Sequence, residues 1–256
     1  MVNHLANIWD ADPDAAPKER PSFADDVVGR FRSGRLVKMG GKEVPESLNE
    51  WRVTTGDPSV AARIAELLGG EPEEWETDKE DNLQVLTNAK TVAIVIEPDG
   101  VDASFKQFMP GSGLIHHCDG FAFLSPDEEK GTKCGCPSLI AERKLKATQM
   151  RGPKPSTDVT FRLADAMDAG IFRFNSGSWK LVEALAPLFR ALDEAGNSTV
   201  DDVPGRPVRA TLTIENVSYT PQKGPRAGQE VSYNKPVIKI LGAYEAEGVA
   251  DFAKAA

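Results

Sequence analysis

A short polar segment, residues 116–137, holds every cysteine of the chain and two of its three histidines. Its sequence, HHCDGFAFLSPDEEKGTKCGCP, places Cys118 two residues after His116 and Cys134 two residues before Cys136. Thiolates and imidazoles are ligands of zinc, and a structural zinc site takes four of them in a tetrahedron. Three interpretations follow: a metal site, a reactive thiol pair, or cysteines without special chemistry.

Side-chain direction selects among the candidate ligands. In an extended segment successive side chains point to opposite sides, so His116 and Cys118 share a side while His117 points away. The predicted ligands are His116, Cys118, Cys134 and Cys136, with His117 as the substitute for His116, and the predicted ion is a structural zinc. A redox pair is less favoured, because C-x-C lacks the helix-capping C-x-x-C context that lowers a thiol pKa.

The sequence lacks the motifs of common catalytic sites. MGGKE has neither the spacing nor the hydroxyl of a phosphate-binding loop, and NSGSW lacks the flanking glycines of a nucleophile elbow. His4 falls in a polar N-terminal stretch, so histidine acid–base work would need residues that are also candidate ligands. A metal with four protein ligands has no open position for an activated water. We therefore expect no catalytic residues and no enzyme activity.

The chain is acidic. It has 256 residues, a formal net charge of −9 and a pI near 5.0. Non-specific affinity for DNA comes mostly from Lys and Arg that neutralise phosphates, so we expect weak or no binding to naked DNA. Two basic clusters, at 30–38 and 143–154, are either solvated faces that balance acidic neighbours or contacts with nucleic acid already held by a partner.

Cysteine number and hydropathy indicate a compartment. Three cysteines cannot form a complete disulfide framework, which favours a reducing environment. The first residues have no apolar core of the kind a signal peptide needs, and no run of about 18 apolar residues could span a membrane. We expect a soluble cytoplasmic protein without a membrane partner. The oligomeric state is left open.

Two helices are predicted around the cysteine segment. Asp57 is a natural N-cap before an apolar stripe, which predicts a helix over about 58–69. A second helix is predicted over about 178–195, and Pro187 inside it should kink or break it.

Strands are predicted from alternation and from β-forming residues. WRVTT, DVTFRLAD and IFRFNSG have this composition, and NLQVLTNAKTVAIVIEP is typical of two strands joined by a turn at Asn88 and Ala89. PVRATLTIENVSYT alternates cleanly, and KPVIKIL is its plausible hairpin partner. The predicted fold class is α+β, with mixed strands, two main helices, a metal-binding loop at 116–137 and a C-terminal hairpin.

One domain is expected over 26–243. A loosely ordered N-terminal arm, 1–25, precedes it, and a C-terminal tail, 244–256, follows it.

Four segments, in their order along the chain, resemble a known family. VVGRFRSGR, LNEWRVTTGDPSVAARIAELLGG, HCDG…CGCP and FRFNSGSWKLVEAL are similar to segments of the recombination directionality factors, or excision factors, of actinobacterial (Streptomyces-type) temperate phages. The resemblance runs from about Val28 to Leu241. Broader relatives carry a further cysteine just before a K-P-x-T step. Here Pro153 stands at that position, which makes a histidine of the HH pair an attractive replacement.

The resemblance implies a partner and a function. Such a factor binds a phage large serine integrase on attachment-site DNA and switches it from integration to prophage excision by protein contact. It promotes recombination of the hybrid sites and inhibits the integrative reaction, in the cytoplasm of the bacterial host. Two alternatives stay open. A single-strand DNA-binding or phage replication accessory protein would bind bare DNA in a salt-dependent way, and a metal-dependent hydrolase would hold an exchangeable metal with a water ligand.

Candidate partner-binding residues are apolar or aromatic side chains that the fold does not need, with basic residues nearby. One candidate is Trp9 in the N-terminal arm. The others follow the cysteines in a basic segment: Arg143, Lys144, Leu145, Lys146, Met150 and Arg151. The basic segment is favoured, because a rigid platform held by the metal loses less entropy on binding than a free arm.

Overall fold

The computed structural model describes residues 27–77, 79–185, 207–222 and 227–244. One sheet of twelve strands dominates the described residues. The predicted class, α+β with two main helices, therefore needs correction. The fold is mostly β, and three α-helices lie within the described residues.

The helices and strands have the following bounds. The strands are β1 (Val27–Met39), β2 (Lys42–Thr55), β3 (Pro72–Glu74), β4 (Leu83–Leu86), β5 (Thr91–Ile96), β6 (Val101–Met109), β7 (Gly113–Cys118), β8 (Phe123–Ser125), β9 (Lys154–Leu163), β10 (Ile171–Ser176), β11 (Val208–Tyr219) and β12 (Val231–Ala243). The helices are α1 (Pro58–Leu68), α2 (Ile140–Thr148) and α3, whose described residues are 179–185.

The main path of the sheet runs β12-β11-β5-β9-β10-β1-β2-β4-β3. Only β1 and β10 pair in parallel among the described strands. A side branch leaves this path at β9, which pairs with β6, and β6 continues through β7 to β8. This branch carries part of the cysteine segment, so the sheet itself positions the candidate metal ligands.

The main core lies on one face of the sheet. Phe31 packs edge-to-face against Trp51, Phe161 and Phe172, with 5.3 to 5.9 Å between ring centroids. Alternation along each strand turns these side chains inward and their neighbours outward. Helices α1 and α3 bury their apolar residues against the same cluster.

Both predicted helices begin where expected. The Asp57 carboxylate accepts the Ser59 N–H at 2.7 Å, and the buried Val60 and Ile64 share one face of α1. At α3, the Ser178 hydroxyl accepts the Leu181 N–H at 3.3 Å. The remainder of the predicted second helix, including Pro187, lies outside the described residues.

The predicted strands form, but one assumed connection differs. The C-terminal hairpin is confirmed as β11 and β12, in which Leu212 faces Ile238. Strands β4 and β5 follow each other along the chain without pairing: β4 pairs with β2 and β3, and β5 with β9 and β11. The connecting turn is held on helix α1, because the Asn88 N–H donates to the Leu68 carbonyl at 2.9 Å.

Several predictions fall outside the described residues. These are the arm at 1–25 with Trp9, and all of the tail beyond residue 244. The division into arm, single domain and tail stays a prediction. In the part of the chain that the structure describes, no helix is long and apolar enough to cross a membrane.

Candidate metal centre

Strand β7 presents the first two candidate ligands. It ends at Cys118, and His116 lies two residues earlier on the same side of the strand. Pairing with β6 fixes their positions, since Gln107 faces His116 and Phe105 faces Cys118. The predicted extended conformation of this segment is confirmed.

A tight turn returns the chain to Cys118. The Asp119 carboxylate accepts the N–H groups of Phe121 and Ala122 at 2.7 and 2.8 Å, which closes the turn. The Cys134 N–H then donates to the Phe121 carbonyl at 2.9 Å. The C-D-G sequence thereby brings the C-x-C pair beside the end of β7.

The four predicted ligands come together. The side-chain donor atoms of His116, Cys118, Cys134 and Cys136 all lie within 4.8 Å of one another. The Cys136 Sγ lies 3.4 Å from the His116 Nε2 and 4.0 Å from the Cys118 Sγ. Zn–S bonds of about 2.3 Å and Zn–N bonds of about 2.0 Å in a tetrahedron give S···N and S···S separations of roughly 3.5 and 3.8 Å. The cluster could therefore bind a metal ion with little rearrangement.

His117 is not part of this cluster. Its Nδ1 lies 3.0 Å from the Ser125 hydroxyl on the neighbouring strand. Its Nε2 is buried without a hydrogen-bond partner among the described residues. His116, rather than its substitute, is thus the histidine at the cluster.

Pro153, which stands where broader relatives carry a further cysteine, lies close to His116. Pro153 lines the same cavity as His116, Cys134 and Cys136. The position at which broader relatives carry a further cysteine is therefore next to the cluster. His116 supplies a fourth donor without that cysteine.

The local environment favours neutral donors when no metal is bound. Burial, together with the neighbouring thiols, raises the pKa of Cys118 to about 12, and burial also raises the pKa of Cys136. Burial lowers the pKa of His116, so its imidazole is neutral and able to ligate. A metal ion must displace the thiol protons in order to bind.

A small second core anchors the cluster to the body of the protein. Phe105, Cys118 and Cys134 are buried together, and Trp179 at the start of α3 packs against them. The Phe105 and Trp179 rings lie 5.9 Å apart between centroids. Sequence reasoning missed both aromatic residues. A signal was available for Trp179, an aromatic residue directly after the capping Ser178.

Arg143 is the residue whose placement differs most from expectation. Only 8% of it is exposed, its Nη2 donates to the Gly120 carbonyl at 2.6 Å, and its guanidinium lies 5.0 Å from the Phe105 ring centroid. Gly120 has a φ of 106°, and a Cβ there would meet the Arg143 Nη1 at 2.9 Å. Arg143 is therefore largely buried and holds the C-D-G turn, and it also lines the cavity beside His116. Its role in partner binding stays a prediction.

The other predicted partner-binding residues lie at the surface, apart from Trp9, which is outside the described residues. Lys144 forms an ion pair with Glu183 at 3.3 Å and is partly buried. The remaining four are exposed: Leu145, Lys146, Met150 and Arg151. Their role in partner binding stays a prediction.

The first basic cluster, at 30–38, is balanced by carboxylates. Arg32 pairs with Asp81 at 2.8 Å, and Arg35 pairs with Glu46 at 2.6 Å. This supports the interpretation of that cluster as a face that balances acidic neighbours.

Comparison with protein families identifies a match that covers most of the chain. A family model described as "Gp3-like: Recombination directionality factor-like" matches residues 28–240. The matched range is most of the chain, and it contains all four clustered ligands and Arg143. No solved structure matches the chain.

Proposed function

We propose, from the premise that the chain belongs to the Gp3-like, recombination directionality factor-like family, that it binds a phage large serine integrase and switches it from integration to prophage excision. The family match over residues 28–240 is the observation that carries this proposal. The partner is the integrase on its attachment-site DNA, in the cytoplasm of the bacterial host. The factor promotes recombination of the hybrid sites and inhibits the integrative reaction.

The switch needs only differential binding. Large serine integrases cleave and exchange strands themselves, so the factor acts by binding one synaptic arrangement more tightly than the other. Changing the ratio of two synaptic arrangements from 1:99 to 99:1 takes a difference in binding free energy of roughly 5.5 kcal/mol. One protein interface of ordinary size can supply this difference. No catalytic group of the factor takes part in this mechanism.

The metal in this proposal is a structural zinc. Three thiols and one imidazole are a donor set that suits zinc rather than magnesium or calcium, which prefer oxygen ligands. His116, Cys118, Cys134 and Cys136 would hold the zinc, which would fix the turn after β7 against the rest of the side branch. Its task is to hold a surface rigid, because a rigid surface loses less entropy on binding.

Recombination in vitro tests the proposed function. Purified integrase from the same phage is expected to recombine the phage and bacterial sites without this protein, and the two hybrid sites only with it. Product yields on all four attachment-site combinations, with and without this protein, provide the measurement. An unchanged hybrid-site reaction would rule the proposal out.

Binding to DNA alone should be weak. With a net charge of −9, the protein is expected to repel the DNA polyanion, so naked attachment-site duplex near physiological salt should not be shifted in a gel. The integrase–DNA complex should be shifted further when the protein is added. A tight, sequence-specific shift by this protein alone would contradict the prediction and would favour the DNA-binding alternative.

A further inference from the structure

A groove lies between the β6–β7 hairpin and the segment after α2. It has a volume of about 360 Å³, and its walls include Phe108, Met150 and Pro155 together with Lys106 and Lys154. The Gln107 side chain donates to the Met150 carbonyl at 3.3 Å, which ties the hairpin to the end of α2. A volume of this size holds one or two large side chains of another protein.

Its walls combine polar residues with large exposed apolar side chains. Phe108 is 66% exposed and Met150 is 77% exposed. Leu114, which faces Phe108 across the hairpin, is exposed as well. Most of the exposed large apolar side chains of the described residues lie between residues 108 and 150. Two of them, Phe108 and Met150, line the same groove, and exposed apolar side chains that lie together mark an interaction site more than single ones do.

Met150 is held in an unfavourable backbone conformation. Its φ is 57°, and it is the sole residue other than glycine with positive φ in the described part of the chain. Glycine or asparagine is preferred in this conformation just after a helix, because a Cβ is strained there. Strain of this kind concentrates at functional sites, so the conformation of Met150 is a reason to consider its side chain as a binding element.

The charge at the groove is positive. Lys106 and Lys154 face each other across β6 and β9, and none of the described residues that line the groove is a carboxylate. In the described part of the chain neither lysine forms an ion pair with a carboxylate. The charge of Lys106 does help to lower the pKa of the Asp158 carboxyl, which is itself paired with Arg173 at 2.7 Å. On a chain with a net charge of −9, the positive groove is a local reversal of sign. Acidic side chains of a partner would complement it.

The groove and the metal centre share walls. Gln107 and Gly152 line both the groove and the cavity beside His116 and Cys136. Zinc at the cluster would therefore fix the position of one wall of the groove. This connects the metal to binding through the backbone of β6 and the segment after α2.

We infer that this groove docks an acidic segment of the partner protein, with one large apolar side chain between Phe108 and Met150 and carboxylates against Lys106 and Lys154. The inference rests on the proposed function, in which the partner is the serine integrase. It names the surface that makes the contact and the chemistry of the segment that fills it.

Met150→Gly is the sharpest test. Glycine removes the side chain and relieves the strain at φ 57°, so the melting temperature should not fall, while affinity for the purified integrase should weaken by about tenfold or more. Phe108→Ala should weaken binding similarly. Met39→Gly is the matched control, because Met39 is 64% exposed on the β1–β2 hairpin, outside the groove. It should leave binding unchanged.

Charge reversal tests the acidic character of the occupant. Lys106→Glu with Lys154→Glu should weaken integrase binding about tenfold at low salt and remove most of its salt dependence. The matched control is Lys42→Glu with Lys239→Glu, two exposed lysines whose reversal changes the net charge equally. Affinity and hybrid-site recombination are measured together. If the unaltered protein binds integrase and the groove variants bind equally well, the groove inference alone is wrong. If the unaltered protein neither binds nor switches integrase, both the groove and the proposed function are wrong.

Discussion

Replacing Cys134 by serine is expected to remove zinc from the purified protein and to unfold the turn around it. The Cys134 thiol is buried, and its Sγ is one of four donor atoms within 4.8 Å of one another. Structural zinc contributes about 10–16 kcal/mol to the folding of small zinc domains, so loss of one ligand of four should cost more than about 4 kcal/mol of binding free energy. That corresponds to roughly a thousandfold weaker binding. Elemental analysis after purification without added metal should give about one zinc per unaltered chain and almost none for the variant.

His117→Ala is the control for this prediction. The His117 ring lies next to Ser125, away from the cluster, and its Nε2 has no hydrogen-bond partner among the described residues. The variant should keep its zinc and lose about 1 kcal/mol of stability or less. Cys136→Ser should behave like Cys134→Ser. Zinc content near zero in the unaltered protein, with a melting temperature that chelation does not change, would contradict the metal assignment.

Zinc affinity should also fall as the pH falls. Burial raises the pKa of the Cys118 and Cys136 thiols in the metal-free protein, so both are protonated at neutral pH and must lose their protons when zinc binds. Acid favours the protonated, metal-free form, and alkali favours the bound form. For each proton that zinc displaces, a fall of one pH unit should lower the apparent zinc affinity by up to about tenfold. Competition with a chelator of known affinity at pH 6, 7 and 8 measures this slope, and an affinity independent of pH would contradict thiolate ligation.

Local signals in the sequence predicted the ligand set and several elements. The alternation of side chains over two residues is enough to put His116 and Cys118 on one side of a strand. The cap at Asp57 and the stripe after it fix α1, because both depend on neighbours within one or two helical turns. The alternation of β11 predicted its buried residues for the same reason.

The rest of the fold depends on pairing between distant segments, which the sequence pattern does not show. The segment at 30–38 was recognised as a basic cluster, whereas it forms half of the long β1–β2 hairpin. Phe31 faces inward but stands among charged residues, so its strand pattern is hard to recognise. A change of register between Arg32 and Gly34 also interrupts the two-residue alternation of side chains along β1. Acidic partners such as Asp81 come from distant parts of the chain, so the sequence does not show that the charges are compensated.

The sequence does not predict helix α2, because the helix buries an arginine and exposes a leucine. Its buried residues are Arg143 and Ala147, while Leu145 is exposed. Hydrophobic periodicity assigns an arginine to the solvent side. The buried position of Arg143 depends on the Gly120 carbonyl and the Phe105 ring, which only the folded chain brings together.

Arg143→Glu should therefore destabilise the metal centre strongly. The substitution removes the hydrogen bond to the Gly120 carbonyl and places a carboxylate against that carbonyl and the face of the Phe105 ring. A buried charge left without a partner costs about 3–5 kcal/mol. The guanidinium also favours the Cys136 thiolate, so its reversal should weaken zinc binding in addition. Thermal unfolding and zinc content provide the measurement.

Two further variants separate the position from the charge. Lys146→Glu makes the same change of net charge on an exposed position of α2 and should lower stability by less than about 1 kcal/mol. Arg143→Lys keeps the positive charge but lacks the planar guanidinium that reaches Gly120 and stacks on Phe105, so it should fall between the other two. If Arg143→Glu were as stable as Lys146→Glu, with full zinc content, Arg143 would not hold the turn. Reduced integrase binding in Arg143→Glu alone would not identify a docking residue, because a collapsed metal centre also distorts the groove wall formed by Gln107 and Gly152.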